Sequence, residues 1–179
     1  MMTLVIGGAS SGKSEVAENL CMTLPGKRAY TATMMPSGEQ AHRRIERHLA
    51  LRNGKGMETI EQYTDLSNIA DKAASYNVLL IECMTNLVAN EQFRTDRQPK
   101  TDIACKIYED ILLLRTVCPH LIVVTGDVFC DGFTYPEETM SYIRHLGSLN
   151  CMLATSADRV IEVFYGLATD LKTGKVISS

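Results

Sequence analysis

The run Gly7-Gly8-Ala9-Ser10-Ser11-Gly12-Lys13-Ser14 fits the G-x-x-x-x-G-K-S pattern of a phosphate-binding loop. Gly7, Gly8 and Gly12 let the backbone approach phosphate oxygens closely, and successive N–H groups along Ala9, Ser10 and Ser11 form an anion-binding nest. Lys13 has the reach for the terminal phosphates, and the Ser14 hydroxyl is a ligand for Mg²⁺. The context that the motif demands is present. An apolar strand, Leu4–Ile6, leads in, and Glu15, Val16, Ala17, Leu20 and Cys21 continue at helical spacing. That helix turns its positive dipole end towards the loop. The chain is therefore expected to bind a nucleoside triphosphate.

A second acid belongs to the same chemistry. Val78-Leu-Leu-Ile-Glu82 reads as a buried strand ending in a carboxylate, the place from which an acid reaches Mg²⁺ or its bound water. A charge at a strand end is also an ordinary boundary, and it is the phosphate loop upstream that favours Ser14 and Glu82 as a metal-binding pair. Thr85, Asn86 and Asn90 follow, each suited either to touch a ligand or to cap the next helix. For Thr85, capping is the expectation.

The third candidate is a histidine. Arg44, His48 and Arg52 are four residues apart and share one face of a helix, beside an apolar stripe of Ala41, Ile45 and Leu49. Flanking positive charge biases the imidazole towards its neutral, nucleophilic form, and guanidiniums grip phosphates bidentately. Such a set suits attack on a nucleotide α-phosphorus to give a covalent histidyl nucleotide. A solvated basic face with an incidental histidine fits the same spacing, and spacing alone favours it.

These candidates need a scaffold. Apolar runs at Leu4–Ile6, Ala29–Ala32, Val78–Cys83, Leu121–Thr125 and Val160–Phe164 alternate with helical patterns at Ser14–Leu24, Glu39–Leu51, Leu66–Ser75, Asp102–Val117 and Glu137–Thr155. Alternation of this kind predicts an α/β fold of the P-loop NTPase-like kind, a mostly parallel doubly wound sheet with helices on both faces. Active residues then belong on loops beyond the carboxyl ends of the strands. With 179 residues and 45% hydrophobic content, one domain over 1–179 is expected. Asn53-Gly-Lys-Gly56 and the polar stretch Phe93–Lys100 read as exposed connections.

Composition excludes several classes. A net charge of −3 offers no basic surface for nucleic acid or an anionic membrane. No apolar run reaches the length of a membrane span, and no basic segment precedes the first apolar stretch as in a signal peptide. The six cysteines lie singly, without metal-ligand spacing, which predicts free thiols in a cytoplasmic protein. Absence of tryptophan and 6% aromatic content speak against a base-stacking platform.

Taken together, these residues resemble the bifunctional adenosylcobinamide kinase / adenosylcobinamide-phosphate guanylyltransferase family of cobalamin biosynthesis. Gly7–Ser14 resembles the family's G-G-A-R-S-G-K-S loop, and Tyr30-Thr-Ala-Thr33 its Y-I-A-T strand. Arg44-Ile-Glu-Arg-His48 is similar to R-I-x-x-H, with Arg52 on the arginine that follows. Glu82-Cys-Met-Thr85 with Asn90, then Asn150, Ala157-Asp158-Arg-Val160, Gly166 and Lys172, resemble later family segments. The resemblance implies phosphoryl transfer from ATP or GTP to the aminopropanol hydroxyl of adenosylcobinamide. It also implies guanylyl transfer to the cobinamide phosphate through His48, with Lys13 catalytic. The nucleotide would be held by the loop, Thr33, Arg44, Arg52 and Glu82, and the enzyme would be a homotrimer. Departures are visible: Ser10 stands at the family's loop arginine, Thr125-Gly-Asp-Val-Phe129 replaces T-N-E-V-G, and the Arg144–Cys151 segment is shortened. Two other readings stay open, a P-loop small-molecule kinase without guanylyl transfer and a nucleotide-binding protein without turnover.

Overall fold

A computed structural model describes residues 1–177 except 37, 40–42, 44, 47–49, 51–52, 97–101 and 129–131. Strand β1 (Met2–Gly7) leads through the phosphate loop into helix α1 (Lys13–Thr23), and β2 (Arg28–Ala32) follows. After the partly described 33–56 stretch come β3 (Met57–Glu61), a 3₁₀ turn at Leu66–Ile69, the short α2 (Ala70–Ala73) and β4 (Val78–Glu82). Then follow α3 (Met84–Gln92), α4 (Ile103–Val117), β5 (His120–Gly126), α5 (Glu137–Ser156) and β6 (Arg159–Phe164). The hairpin β7 (Leu167–Asp170) and β8 (Lys175–Ile177) closes the fold.

The strands make one eight-stranded sheet in the order β3-β2-β4-β5-β1-β6-β7-β8. Strands β1 to β6 are parallel, and β7 and β8 join as an antiparallel edge. The central strands read as continuous apolar runs because both faces are covered: every residue of β4 is buried. On one face Val5, Tyr30, Leu80, Val124 and Ile161 pack on Ala17 and Cys21 of α1. On the other, Leu4, Leu79, Ile81 and Val123 meet α3, α4 and α5 through Leu87, Ile107, Ile111 and Leu149.

Helix α4 shows local sequence dictating structure. Ile103, Ile107, Ile111 and Leu114 form the predicted stripe and are all buried, while the Asp102 side chain caps the helix by accepting the Cys105 N–H at 2.9 Å. The predicted α/β fold with a mostly parallel sheet is what the chain adopts. Several details differ from the sequence reading, the antiparallel β7–β8 hairpin among them. β3 is an additional parallel strand, polar because it lies at the sheet edge. The helix expected over Leu66–Ser75 is a 3₁₀ turn running into a single α-helical stretch. Thr85 lies inside α3, whose N-cap is Cys83, so it does not cap that helix. The two expected surface connections also reach inward: Lys55 pairs with the fully buried Glu18 at 2.6 Å, and the Arg94 side chain is 8% exposed. Among the described residues no helix is long and apolar enough to cross a membrane.

Candidate active site

The order of strands brings Gly7–Ser14 and Glu82 to one edge. β1 lies between β5 and β6, and β4 is one strand further away, beyond β5. The loop leaving β1 is held by its own backbone, Ser11 N–H donating to the Gly8 carbonyl at 3.3 Å and Asp127 N–H to the Gly7 carbonyl at 3.2 Å. Gly12 turns the chain into α1 with φ 94°, a left-handed conformation that favours glycine, and its carbonyl accepts the first helical bond from Val16 at 3.1 Å. Gly7 has no room for a side chain, since a Cβ there would lie 2.5 Å from the Val163 carbonyl oxygen. Ser10, with φ 58°, takes a left-handed position without being glycine.

Two side chains at the loop bond to groups beside it. Lys13 Nζ donates to the Gly8 carbonyl at 2.9 Å, folded back over its own loop. The Ser14 hydroxyl donates to Glu82 Oε1, across the width of β5. Glu82 is 6% exposed at the carboxyl end of β4. An alcohol and a carboxylate in contact beside a phosphate-binding loop are hard oxygen donors, suited to Mg²⁺ shared with phosphate oxygens. Among the described residues no group of three or more His, Cys, Asp or Glu side chains is arranged around a metal position.

Behind Glu82 the turn is fixed from several sides. Thr33 donates its hydroxyl to the Cys83 carbonyl at 2.8 Å and its N–H to the Glu82 carbonyl at 3.0 Å. Thr33 itself is fully buried, so the structure puts it beneath the site. The Asn90 amide donates to the Thr33 and Tyr63 carbonyls, both at 2.8 Å, which makes it a clamp between chain segments. Asn86 donates to Cys83 Sγ at 3.3 Å, and Thr85 Oγ1 lies 2.7 Å from the same sulfur. Burial pushes the Cys83 thiol up despite the Thr85 contact, so it stays protonated and is no nucleophile. Burial and the neighbouring Glu18 push Cys21 up to about 12. The five described cysteines are free, as the sequence predicted, and Cys130 lies outside the described residues.

From the far side of the sheet, Asn150 of α5 fixes the end of β5. Its Oδ1 accepts from the Thr125 hydroxyl at 2.7 Å and its amide donates to the Gly126 carbonyl at 3.2 Å. Asp158 accepts the Met2 N–H at 2.6 Å and pairs with Arg115 at 3.2 Å, anchoring the start of β1. Gly166 N–H donates to the Ser11 carbonyl at 2.9 Å, joining the β6–β7 turn to the phosphate loop. Arg44, His48 and Arg52 lie outside the described residues.

A cleft opens beside Glu82, lined by Tyr30, Met34, Pro36, Ile45, Tyr63 and Asn86 among others. Sequence reasoning did not find it, because its walls come from the ends of β2 and β3 and from the chain after Thr33. It also missed a buried ion cluster at the other end of α3. Lys106 meets Asp65 at 2.9 Å, Asp110 at 2.8 Å and Glu91, while Arg94 meets Asp65 at 2.9 Å and Glu91 at 3.0 Å. The i,i+3 and i,i+4 pairs Glu91–Arg94 and Lys106–Asp110 were the only signal available.

Comparison with known proteins gives a consistent picture. Residues 3–171 match the family profile for cobinamide kinase / cobinamide phosphate guanyltransferase. The bifunctional adenosylcobalamin biosynthesis protein CobU of Salmonella typhimurium is 30% identical over 187 residues, covering 96% of this chain and 100% of that protein. The corresponding protein CobP of Pseudomonas aeruginosa is 25% identical over 177 residues, covering 96% and 98%. Among solved structures, an ATPase domain matches with a TM-score of 0.59 at 11% identity, over 98% of this chain and 78% of that one. That likeness concerns the fold.

Proposed function

The chain belongs to the cobinamide kinase / cobinamide phosphate guanyltransferase family, and from that premise we propose that it catalyses both transfers at one phosphate loop. In the first, the aminopropanol hydroxyl oxygen of adenosylcobinamide attacks the γ-phosphorus of ATP or GTP. A new P–O bond forms, the bond to the β-phosphate oxygen breaks, and the nucleoside diphosphate leaves. In the second, His48 attacks the α-phosphorus of GTP, and pyrophosphate departs. The cobinamide phosphate then displaces the imidazole, exchanging the P–N bond for P–O.

The observation that carries this reading is the Ser14–Glu82 contact at the carboxyl edge of the sheet, beside the loop over which Lys13 is folded. Lys13 moves from the Gly8 carbonyl onto the phosphates and, with the loop N–H groups, offsets the charge that builds there during transfer. Ser14 and Glu82 would hold Mg²⁺, which would supply Lewis-acid stabilisation of phosphate charge. Thr33, Asn86 and Asn90 keep the Glu82 turn in place. Two neighbouring features support a cytoplasmic enzyme of small molecules: the net charge of −3 and free thiols. A homotrimer, carried over by family resemblance, is part of the same proposal.

The test is incubation with α-labelled or γ-labelled GTP and Mg²⁺, followed by denaturation and intact mass. One acid-labile guanylyl group, absent from His48→Ala, is expected. Phosphorylation of adenosylcobinamide with no adduct would reduce the protein to a kinase. Neither adduct nor turnover would remove the proposal altogether.

A further inference from the structure

The phosphate loop has two flanks. On the β5 side, Ser14 touches Glu82, which marks where the terminal phosphate and its metal belong. With the terminal phosphate on that side, the flank left for the nucleoside is the one beyond β1, towards β6. What stands on that flank is the β6–β7 turn, with Tyr165 and Gly166 between the paired residues Phe164 and Leu167. The turn is fastened to the loop by the Gly166 N–H to Ser11 carbonyl bond at 2.9 Å. A Cβ on Gly12 would lie 3.5 Å from Gly166 Cα, so turn and loop are in contact distance.

Tyr165 is out of keeping with a purely structural turn. Its φ of 48° is left-handed, where glycine, asparagine or aspartate is favoured in a two-residue hairpin turn. Its side chain gains no burial in exchange, since Tyr165 is 86% exposed. Its ring meets the 64% exposed Phe164 edge-on, with centroids 4.4 Å apart, so one aromatic orients the other. A sparse aromatic composition speaks against a stacking platform, yet two of the few rings meet here, on the turn bonded to the phosphate loop. A conformation disfavoured for its residue, beside a ligand loop, points to a role in binding.

We infer that Tyr165, backed by Phe164, is the stacking face for the base of the nucleoside triphosphate held at the phosphate loop. This rests on the reading of that loop as the nucleotide site. Every base has a π-face, so the contact adds affinity for GTP and ATP alike and does not choose between them.

The sequence contains no tryptophan, so Tyr165→Trp introduces a single fluorescent reporter. Its emission should be quenched saturably by GTP and by ATP, and unaffected by inorganic tripolyphosphate, which fills the loop without a base. Tyr165→Ala should weaken GTP and ATP about tenfold, within the range of single aromatic–base stacks, and leave tripolyphosphate affinity unchanged. Tyr165→Phe should restore nucleotide binding. Equal nucleotide affinity in wild type and Tyr165→Ala would overturn the inference, as would parallel loss of tripolyphosphate, which would mean the turn acts only by supporting Ser11. A change of oligomeric state in Tyr165→Ala by sedimentation would also overturn it, assigning the ring to a subunit contact. Wild type binding none of the three ligands would bring down the nucleotide-site reading first, and this inference with it.

Discussion

Helix α3 joins two clusters of polar and charged residues that behave as opposites. At its start, Glu82 meets a hydroxyl from a different element, and the cation next to it, Lys13, is turned back on a loop carbonyl. At its end, Glu91 sits with Asp65 and Asp110 around Lys106 and Arg94, every charge answered by another side chain of the same protein. Residue types hardly differ between the two. What differs is where the complement comes from: the second cluster is completed by the fold, the first, on the function proposed above, by a nucleotide and its metal. Acids alone therefore do not mark a site. An acid whose partners are exchangeable does.

The sharpest way to break the comparison is to remove the cation of the closed cluster. Lys106→Met leaves Asp65, Glu91 and Asp110 facing one another with Arg94 as the remaining counter-charge, and should destabilise the fold by about 3–5 kcal/mol. Urea unfolding measures this, and a loss below about 1 kcal/mol would show that the cluster is solvated like a surface pair.

Proton titration tests the same cluster more gently. Burial opposes ionisation of Asp65, but Lys106 and Arg94 outweigh it and hold the carboxyl well below its usual range. A lowered folded value means stability fully present above the unfolded carboxylate value, near pH 4, and lost as pH falls through the folded value. For Lys106 burial favours the neutral amine, but Asp110, Glu91 and Asp65 outweigh it and raise the value. Its contribution is present below about pH 10 and lost as pH rises through the folded value. Urea midpoints should therefore be level between about pH 4 and pH 10 as far as this cluster contributes. Asp65→Asn should make the acid limb shallower; an unchanged limb would place the acid sensitivity elsewhere.

The smallest effect on stability is expected at the open site. Lys13→Ala removes only a bond to a loop carbonyl and should change unfolding free energy by no more than about 0.5 kcal/mol. Phosphoryl transfer by the same variant should fall by about 100-fold or more, as when a donor to transition-state charge is deleted. A variant that loses stability and activity in proportion would mean that Lys13 is structural.

The two clusters were also unequally visible in the chain. The phosphate loop, the strand ending in Glu82 and the stripe of α4 were legible because each is written in consecutive or helically spaced residues. Lys106 was not, since a lysine on the polar side of a helix reads as solvated until Glu91 and Asp65 arrive from other elements. β3 escaped notice because an edge strand carries glutamates where a central one carries valines. The β7–β8 hairpin did so because its outward Leu167 and Val176 break the usual alternation. Asn90 was legible as polar but not as a clamp, because its two acceptors, Thr33 and Tyr63, are far apart in sequence.

That clamp has a consequence for descent. The chain departs beyond β2 at Thr33, and Tyr63 follows the end of β3; one amide secures both points to α3. Within the interval between them, β3 and Lys55 are fixed again, by pairing with β2 and by Glu18. A lineage that lost the Asn90 amide would keep the β2–β3 pairing and give up the tie of both strand ends to α3.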